Sequence, residues 1–279
     1  MSHEYEFLTV DTVGDSWSTL LEQAGPFKAA TGAFLFSLPL GERSDLPAMM
    51  MGDEIEFLNA HPDGGYDATL SNNEVIDFVR KWTDAYAAGL LPRDSATGAY
   101  QAMVTNLTAE RVAVVNANAL ARVKSEAPQI YAKLAVGPGI VGSLGESGVT
   151  VTHVAVSRQT RHPKLAAQLA WHVTSPAWQT ELAIEASRVP STIESLSDPA
   201  FSEWSDDPQQ QATVIGARQL ANSRPFVPPI GPWPDLRRVF DEGIKRVLLE
   251  GAALEPTLAG VEREWNRILR ADAAGMPYK

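Results

Sequence analysis

Three short segments of the chain carry residue types that could bind a small molecule. The candidates are Glu42, Arg43 and Asp45 in one loop, Asn116 and Asn118 in a second, and Trp233 in a third. An aromatic ring can stack on the C–H-rich face of a pyranose, while carboxylate, amide and guanidinium groups bind its hydroxyls. Residues of these types could therefore bind a small polar molecule, such as a sugar, without a covalent bond.

Each segment also has an ordinary structural explanation. Charged residues in a loop are often only solvated, and asparagines in a turn commonly hydrogen-bond their own backbone. Trp233 could fill a gap in the protein surface, although the prolines around it stiffen the loop and would hold the ring at a low entropic cost. The other tryptophans in apolar helical stripes are predicted to be core residues: Trp82, Trp171, Trp178 and Trp265.

No pattern in the sequence predicts catalysis. The 5 histidines lack an HExxH arrangement or any other close metal-binding spacing. There is no G-x-S-x-G nucleophile motif, no Walker loop and no G-x-G-x-x-G between a strand and a helix. The segment from Asp63 to Asp67 lacks the glutamate and the spacing of a calcium loop, and a turn is predicted there. We therefore expect no catalytic residues, no metal and no cofactor.

Composition and charge exclude several classes of partner. The formal net charge of −11 argues against nucleic acid or an anionic membrane surface, because both repel an acidic protein. The pairs Arg237-Arg238 and Lys245-Arg246 are too short to change this, and we predict that they form the solvated face of a helix. The chain has no cysteine, which excludes disulfides, thiolate metal sites and a lipid-modified cysteine.

Neither a membrane span nor an export signal is predicted. No window approaches the roughly 18 consecutive apolar residues of a transmembrane helix. The first ten residues lack the basic region and the apolar region of a signal peptide.

The elements that would position the candidate residues follow from hydrophobic periodicity. A helix over about 15–30 should end at Gly32, and the clearest helix is 71–88, with Ser71 and Glu74 as a capping box. We also predict strands over 33–38, 111–115 and 131–136, and helices within 46–57, 100–107, 209–223, 236–249 and 258–269. The first two candidate loops then directly follow strands.

The segment from Thr150 to Thr192 is the most informative part of the sequence. Its residues predict an alternating strand over 150–156 and then a helix that begins at Pro163. Ser175-Pro176 ends that helix and starts another, which ends before Val189-Pro190. This order closely resembles the family 1 extracellular solute-binding proteins of ABC transporters, in particular the sugar-binding, maltose-binding-protein-like group.

The resemblance covers about 15–270 and implies a periplasmic-binding-protein-like α/β fold, with a mixed sheet flanked by helices. Residues 15–147 plus 206–272 would form a C-terminal-type lobe, and residues 150–205 would be a remnant of the N-terminal-type lobe. In the family, a whole lobe precedes the stretch that begins here near Trp17. We therefore expect an incomplete second lobe, which is either rearranged, covered by a homo-oligomer or another partner chain, or part of a shortened fragment.

By the same resemblance, the protein would bind a carbohydrate, an oligosaccharide or a glycoside, without catalysis. It would be the extracytoplasmic solute-binding component of an ABC importer, with the transporter permease as partner. His153 and Arg188 would face the binding cleft from the remnant lobe, although a lone histidine in a strand is usually structural. Two alternatives stay open: a truncated or engineered fragment that binds no ligand, and a glycoside-active enzyme that uses Glu42 and a second carboxylate.

Overall fold

The computed structural model describes residues 16–275 except 63, 99, 187 and 227–229. The predicted turn residue Asp63, the two prolines at 228–229 and the N-terminal segment 1–15 lie outside the described residues. The elements are α1 (Trp17–Thr31), β1 (Phe34–Phe36), α2 (Leu46–Gly52), β2 (Leu58–Ala60), β3 (Tyr66–Ala68), α3 (Asn73–Ala87), α4 (Tyr100–Thr108), β4 (Val112–Val114), α5 (Leu120–Glu126), α6 (Pro128–Tyr131), β5 (Ser147–Gly148), α7 (Pro163–Val173), α8 (Pro176–Ala186), α9 (Ile193–Leu196), α10 (Pro208–Gln219), β6 (Ser223–Arg224), α11 (Trp233–Glu250) and α12 (Leu254–Ala273).

The strands pair in both directions. The β1–β4 and β5–β6 pairs are parallel, whereas β2 and β3 are antiparallel. Helices surround these short strands, so the predicted α/β class is confirmed. None of the described helices combines the length and the apolar character needed to cross a membrane.

Local capping explains where the two clearest helices begin and end. The Ser16 hydroxyl accepts a hydrogen bond from the backbone N–H of Thr19 at the start of α1, and Gly32 ends that helix with a φ of 77°. The capping box predicted at Ser71 is wrong, because the Asn72 side chain caps α3 instead. Ser71 donates its hydroxyl to Glu262 of α12, at 2.6 Å, so a tertiary contact replaces the local one.

The main core lies between α1, α3, α11 and α12. Its two central rings are Trp82 and Trp265, with exposed fractions of 1% and 0%. Trp82 contacts Phe36 edge-on, at 5.7 Å between ring centroids, and this contact packs α3 against β1. The Trp265 indole N–H donates to the Leu236 carbonyl at 2.7 Å, which satisfies its polar atom inside the core. The prediction that these two tryptophans are core residues is confirmed.

A second, smaller hydrophobic core lies between α4, β4, α5 and α6. Buried side chains of α4, β4, α5 and α6 form it, among them Met103, Val112, Val123 and Tyr131. The strand predicted over 131–136 is wrong, since α6 ends at Tyr131 and a turn follows. The backbone N–H groups of Lys133 and Leu134 donate to carbonyls of α6, which continues the helical path instead of an extended one.

Most of the large apolar side chains of residues 151–184 are exposed, although Ala183 is buried. The predicted helices α7 and α8 are present, and they begin at Pro163 and Pro176. The strand predicted over 150–156 is wrong, because a strand needs a neighbour and no described strand pairs with it. The core assignment of Trp171 and Trp178 is also wrong, because their exposed fractions are 81% and 40%.

Candidate functional site

Two candidate loops leave the same edge of a parallel strand pair. Phe36 of β1 lies opposite Val114 of β4, and both strands run in the same direction. The loop with Glu42, Arg43 and Asp45 follows β1, and the turn with Asn116 and Asn118 follows β4. In α/β proteins, ligands bind outside the carboxyl ends of the strands. The fold therefore brings these two groups of candidates to one edge.

The first loop is fixed to α11 by hydrogen bonds. The Asp241 carboxylate accepts the backbone N–H of Arg43 at 2.8 Å and that of Ser44 at 3.2 Å. The Arg237 guanidinium donates to the Ser44 carbonyl at 3.0 Å. Lys245 forms an ion pair with Glu42, with 3.3 Å between Nζ and Oε2. Of the four residues predicted to form a solvated helix face, Arg238 and Arg246 are exposed, whereas Arg237 and Lys245 are half-buried and hold this loop.

The opposite side of the loop packs on a short 3₁₀ turn. The backbone N–H of Leu40 donates to the Ser95 carbonyl at 2.8 Å. A Cβ added at Gly41 would lie 2.3 Å from the Ala96 carbonyl oxygen, so this position has room only for glycine. The loop is therefore held from two sides before any ligand arrives.

Asp45 has an unusual electrostatic environment. Burial, opposed by the nearby Arg237 guanidinium and assisted by the Asp241 carboxylate, raises the pKa of the carboxyl group to about 6. Burial likewise raises the pKa of Asp241, against the effect of the Arg43 and Ser44 N–H groups that it accepts. Asp45 therefore takes up a proton in mildly acidic solution and could then donate a hydrogen bond.

The turn after β4 is partly occupied by its own hydrogen bonds. The Asn116 side-chain oxygen accepts the backbone N–H of Asn118 at 3.0 Å, which is the local role that turn asparagines often have. Both side chains are exposed. Tyr100, at the start of α4, donates its hydroxyl to the Asn118 carbonyl at 3.2 Å. A half-buried aromatic ring thus lies beside this turn, although the sequence around Asn118 contains none.

Trp233 is the first residue of α11 and is half-buried. Its ring meets the buried Trp265 edge-on, with 6.0 Å between centroids and an interplanar angle of 71°. Pro232 precedes it as the cap of the helix, and Pro234 follows it in the first turn, which fixes the backbone. The ring is therefore anchored to a rigid aromatic core while part of it remains accessible.

The helix α11 also sets the spacing between the candidates. Arg237 lies one turn beyond Trp233, about 6 Å along the axis, whereas Lys245 lies about 18 Å along it. Since Arg237 contacts Ser44 and Lys245 contacts Glu42, the Asp45 end of the loop is nearer to Trp233 than the Glu42 end. Glu42 and Trp233 are thus too far apart to bind the same pyranose ring.

The remaining two candidates are in a different part of the molecule. His153 is exposed in the segment that precedes α7, and Arg188 is exposed just after α8. The Arg188 backbone N–H donates to the Ala183 carbonyl at 2.8 Å, which closes the end of α8. No contact within the described ranges joins either side chain to the two loops or to Trp233, and their role in binding stays a prediction.

Within the described residues, no group of three or more histidine or acidic side chains is arranged to hold an ion. A shallow hollow of about 440 Å³ lies on α12 and is lined by Arg263, Asn266, Arg267, Arg270 and Ala271. It includes none of the predicted site residues.

Solved structures with the same architecture identify the fold. A protein assigned as an oligosaccharide periplasmic-binding protein, from Synechococcus sp. MITs9220, matches 92% of this chain with a TM-score of 0.81 and 23% identity. The chain has the periplasmic-binding-protein fold. Maltose-bound MalE3 of T. maritima matches 93% of the chain with a TM-score of 0.70 and 18% identity. The sugar-binding protein MalE from Xanthomonas citri does so with a TM-score of 0.70 and 14% identity.

The chain spans about two thirds of the length of these periplasmic binding proteins. It covers 67% of the Synechococcus protein, 66% of MalE3 and 65% of the Xanthomonas protein. The predicted fold is therefore confirmed, and about a third of each of these structures has no counterpart in this sequence. No protein-family model matches the sequence, and no curated protein matches it significantly.

Proposed function

We propose that the protein binds a carbohydrate without catalysis, as the extracytoplasmic solute-binding component of an ABC importer. The observation that carries this proposal is the position of Trp233. Its ring is half-buried on Trp265, and it stands on the helix whose Arg237 and Asp241 fix the loop at the carboxyl end of β1. An accessible, rigid aromatic ring next to a fixed polar loop suits a saccharide.

The names of the structural neighbours support the same ligand class. One is assigned to oligosaccharides, one has maltose bound, and another is a cyclo/maltodextrin-binding protein in complex with maltotetraose. The shared fold supplies the architecture for such a site. Because identities are 23% or lower, the argument for a sugar in this chain depends on its own residues.

Five residues have distinct roles in the proposed site. The accessible part of Trp233 stacks on a pyranose ring, and Asp45 bonds a hydroxyl of the same or the adjacent ring. Tyr100, Asn116 and Asn118 contact a more distant part of the ligand from the edge of β4. Since the loop is fixed by Asp241 before binding, little entropy is lost when the sugar arrives.

The carboxylates near the site favour binding over hydrolysis. A glycosidase needs two carboxyl groups on opposite sides of the scissile bond, one acid and one base or nucleophile. Glu42 is in an ion pair with Lys245, and Asp241 accepts two backbone N–H groups. Both carboxylates therefore have structural partners, and the proposed function includes no reaction.

A calorimetric screen tests the proposal. Maltose, maltotriose, maltotetraose, cyclodextrins and a set of other oligosaccharides are titrated into the wild-type protein and into Trp233→Ala. We expect binding to at least one oligosaccharide, weakened about tenfold or more by Trp233→Ala. Trp171→Ala removes an exposed tryptophan outside the proposed site and is expected to leave the affinity unchanged.

A second measurement on the same samples separates binding from hydrolysis. The oligosaccharide that binds is incubated with the protein, and reducing ends are quantified. The proposal predicts no release above the protein-free control. Release that is lost in Glu42→Gln would instead support the glycoside-active enzyme.

A further inference from the structure

The shallow hollow on α12 is lined by three arginines. Arg263, Arg267 and Arg270 line its volume of about 440 Å³, together with Asn266 and Ala271. Each helical residue adds about 100° of rotation and about 1.5 Å of rise. The three arginines therefore lie within about 60° around the helix and about 11 Å along it. They form one cationic surface, called here the α12 arginine face.

The α12 arginine face lies opposite the side of the helix that packs in the core. The buried residues of α12 include Val261, Trp265 and Ile268, whereas the three arginines are exposed. A helix surface that packs against another part of a protein is expected to be apolar, because burial of an unpaired charge is costly. The exposure of this face is therefore a property of α12 itself, and it does not follow from the part of the similar structures that has no counterpart here.

The acidic side chains near these arginines do not neutralise them fully. Glu262 accepts hydrogen bonds from the N–H and the hydroxyl of a serine before α3, and Glu264 forms an ion pair with the central arginine. Asp272 is two residues from Arg270, a spacing at which helical side chains do not face each other. Within the described residues, no ion pair or hydrogen bond involves the guanidinium group of Arg263 or Arg270.

The spacing of the arginines is unfavourable without an anion. Arg263 and Arg267 are four residues apart, and Arg267 and Arg270 are three apart, the spacings at which like charges on a helix repel each other. The helix dipole favours a cation in the last turn, where Arg270 lies, but it does not explain Arg263 in the middle of α12. An anion bound between the guanidinium groups would remove this repulsion.

Two of the lining side chains are held in place by the fold. The Asn266 amide donates to the Ala68 carbonyl at 3.1 Å and accepts the Ala68 N–H at 2.9 Å, which fixes it to β3. The Arg267 guanidinium donates twice to Glu264, at 2.9 and 2.7 Å. Groups that are already ordered lose little entropy when a ligand binds.

We infer that the α12 arginine face binds a small anion with two or more phosphate or sulfate groups. Arg263 and Arg270 each donate to one of these groups, and the positive charge of Arg267 lies between them. Guanidinium groups suit such ligands because their planar fork donates two parallel hydrogen bonds to one oxyanion. The hollow includes none of the residues proposed to bind sugar, so the inference does not depend on that function.

The charge of the whole protein favours a small anion over a large one. The formal net charge of −11 repels a nucleic acid, an anionic membrane or a long acidic polypeptide, whose charges extend beyond the local patch. A small anion meets only the α12 arginine face, which extends over about 11 Å of one helix.

Calorimetry with sodium tripolyphosphate and with inorganic phosphate tests the inference on the full chain. At about 0.15 M salt, which screens general attraction, tripolyphosphate should bind at least about tenfold more tightly than phosphate. Arg263→Gln/Arg270→Gln should weaken tripolyphosphate binding at least about tenfold. The control Arg158→Gln/Arg161→Gln changes the net charge equally at exposed sites elsewhere, and it should change the affinity less than about twofold.

A charge-preserving variant tests the fork geometry. Arg263→Lys/Arg270→Lys keeps both positive charges but loses the paired donors, and it should weaken tripolyphosphate binding about threefold or more. Both side chains are exposed, so neither set of substitutions disturbs the core, and circular dichroism checks the fold.

Several results would overturn the inference. These are no measurable binding of tripolyphosphate, full affinity in Arg263→Gln/Arg270→Gln, or an equal loss in the Arg158→Gln/Arg161→Gln control. Full affinity in the lysine variant would contradict the paired hydrogen bonds. A polyglutamate peptide or a single-stranded oligonucleotide that binds more tightly than tripolyphosphate, and only when Arg263 and Arg270 are present, would assign the face to a macromolecule instead.

Discussion

The Asp241 carboxylate accepts a hydrogen bond from the backbone N–H of Arg43, with 2.8 Å between Oδ2 and the nitrogen. The two residues are 198 positions apart in the chain. This bond connects α11, which begins with Trp233, to the loop that follows β1. Together with the Arg237 and Lys245 contacts, this half-buried carboxylate sets the relative position of the two parts of the candidate site.

Replacement of Asp241 by alanine should destabilise the protein and weaken sugar binding. The change leaves the Arg43 and Ser44 N–H groups without their acceptor, which we expect to lower the free energy of unfolding by about 2 kcal/mol. Urea denaturation measures this loss. The neighbouring Glu242→Ala removes a carboxylate that contacts Arg238 on the exposed side of the helix, and it should cost less than about 0.5 kcal/mol. Similar losses in the two variants would contradict the anchoring role of Asp241.

The protonation of Asp45 should make stability depend on pH. Its pKa is about 6 in the folded protein, whereas an aspartate in an unfolded chain has its ordinary pKa of 3.8. The folded state therefore holds a proton more tightly, and this stabilisation is fully present below about pH 3.8 and is lost as the pH rises through about 6.

The variant Asp45→Asn removes this dependence. The free energy of unfolding of the variant relative to wild type should rise by about 1 to 2 kcal/mol between pH 4 and pH 7, less than the full linkage value because the side chain is only half-buried. Urea denaturation across this range measures the difference, with the exposed Asp206→Asn as control. A difference that stays constant with pH would show that Asp45 titrates normally.

Alanine substitutions at Gly243 of α11 and Gly260 of α12 should have opposite effects on stability. A Cβ at Gly243 would lie 2.6 Å from a Val261 methyl group, so Gly243→Ala should destabilise the protein by about 1 to 3 kcal/mol through overpacking. Gly260 lies within α12, and a Cβ there would lie 3.8 Å from the Arg263 guanidinium, an ordinary van der Waals distance, so Gly260→Ala should stabilise by about 0.5 to 1 kcal/mol. Thermal unfolding gives both signs. A Gly243→Ala variant as stable as the wild type would mean that this interface is not closely packed.

The sequence was sufficient to predict an element where its position depends mainly on local residue preferences and on hydrophobic periodicity. The helix α3 shows its buried face directly, with Val75, Phe78, Val79 and Trp82 at helical spacing. The ends of α1 are set by Ser16 and Gly32, whose preferences for these positions are local. The strands β1 and β4 were also predicted, within 33–38 and 111–115, whereas their parallel pairing, which brings the two loops to one edge, is known only from the structure.

The errors have a common physical origin in contacts between distant residues. Residues 151–156 alternate as in a strand, with Val154 and Val156 on the face opposite Val151, yet a strand forms only where another one pairs with it. Trp171 and Trp178 have helical spacing like that of Trp82, but the surface that would bury them is not among the described residues. The roles of Tyr100, Arg237 and Asp241 were missed for the same reason, because each depends on a partner in another element.

Isothermal titration of an oligosaccharide into wild type, Trp233→Ala and Trp171→Ala tests the central claim most directly. The account predicts that the wild type and Trp171→Ala bind with the same affinity. It predicts that Trp233→Ala binds at least about tenfold more weakly than the wild type. If no oligosaccharide binds the wild type, or if Trp233→Ala binds as tightly as Trp171→Ala, the proposed site at the start of α11 is wrong.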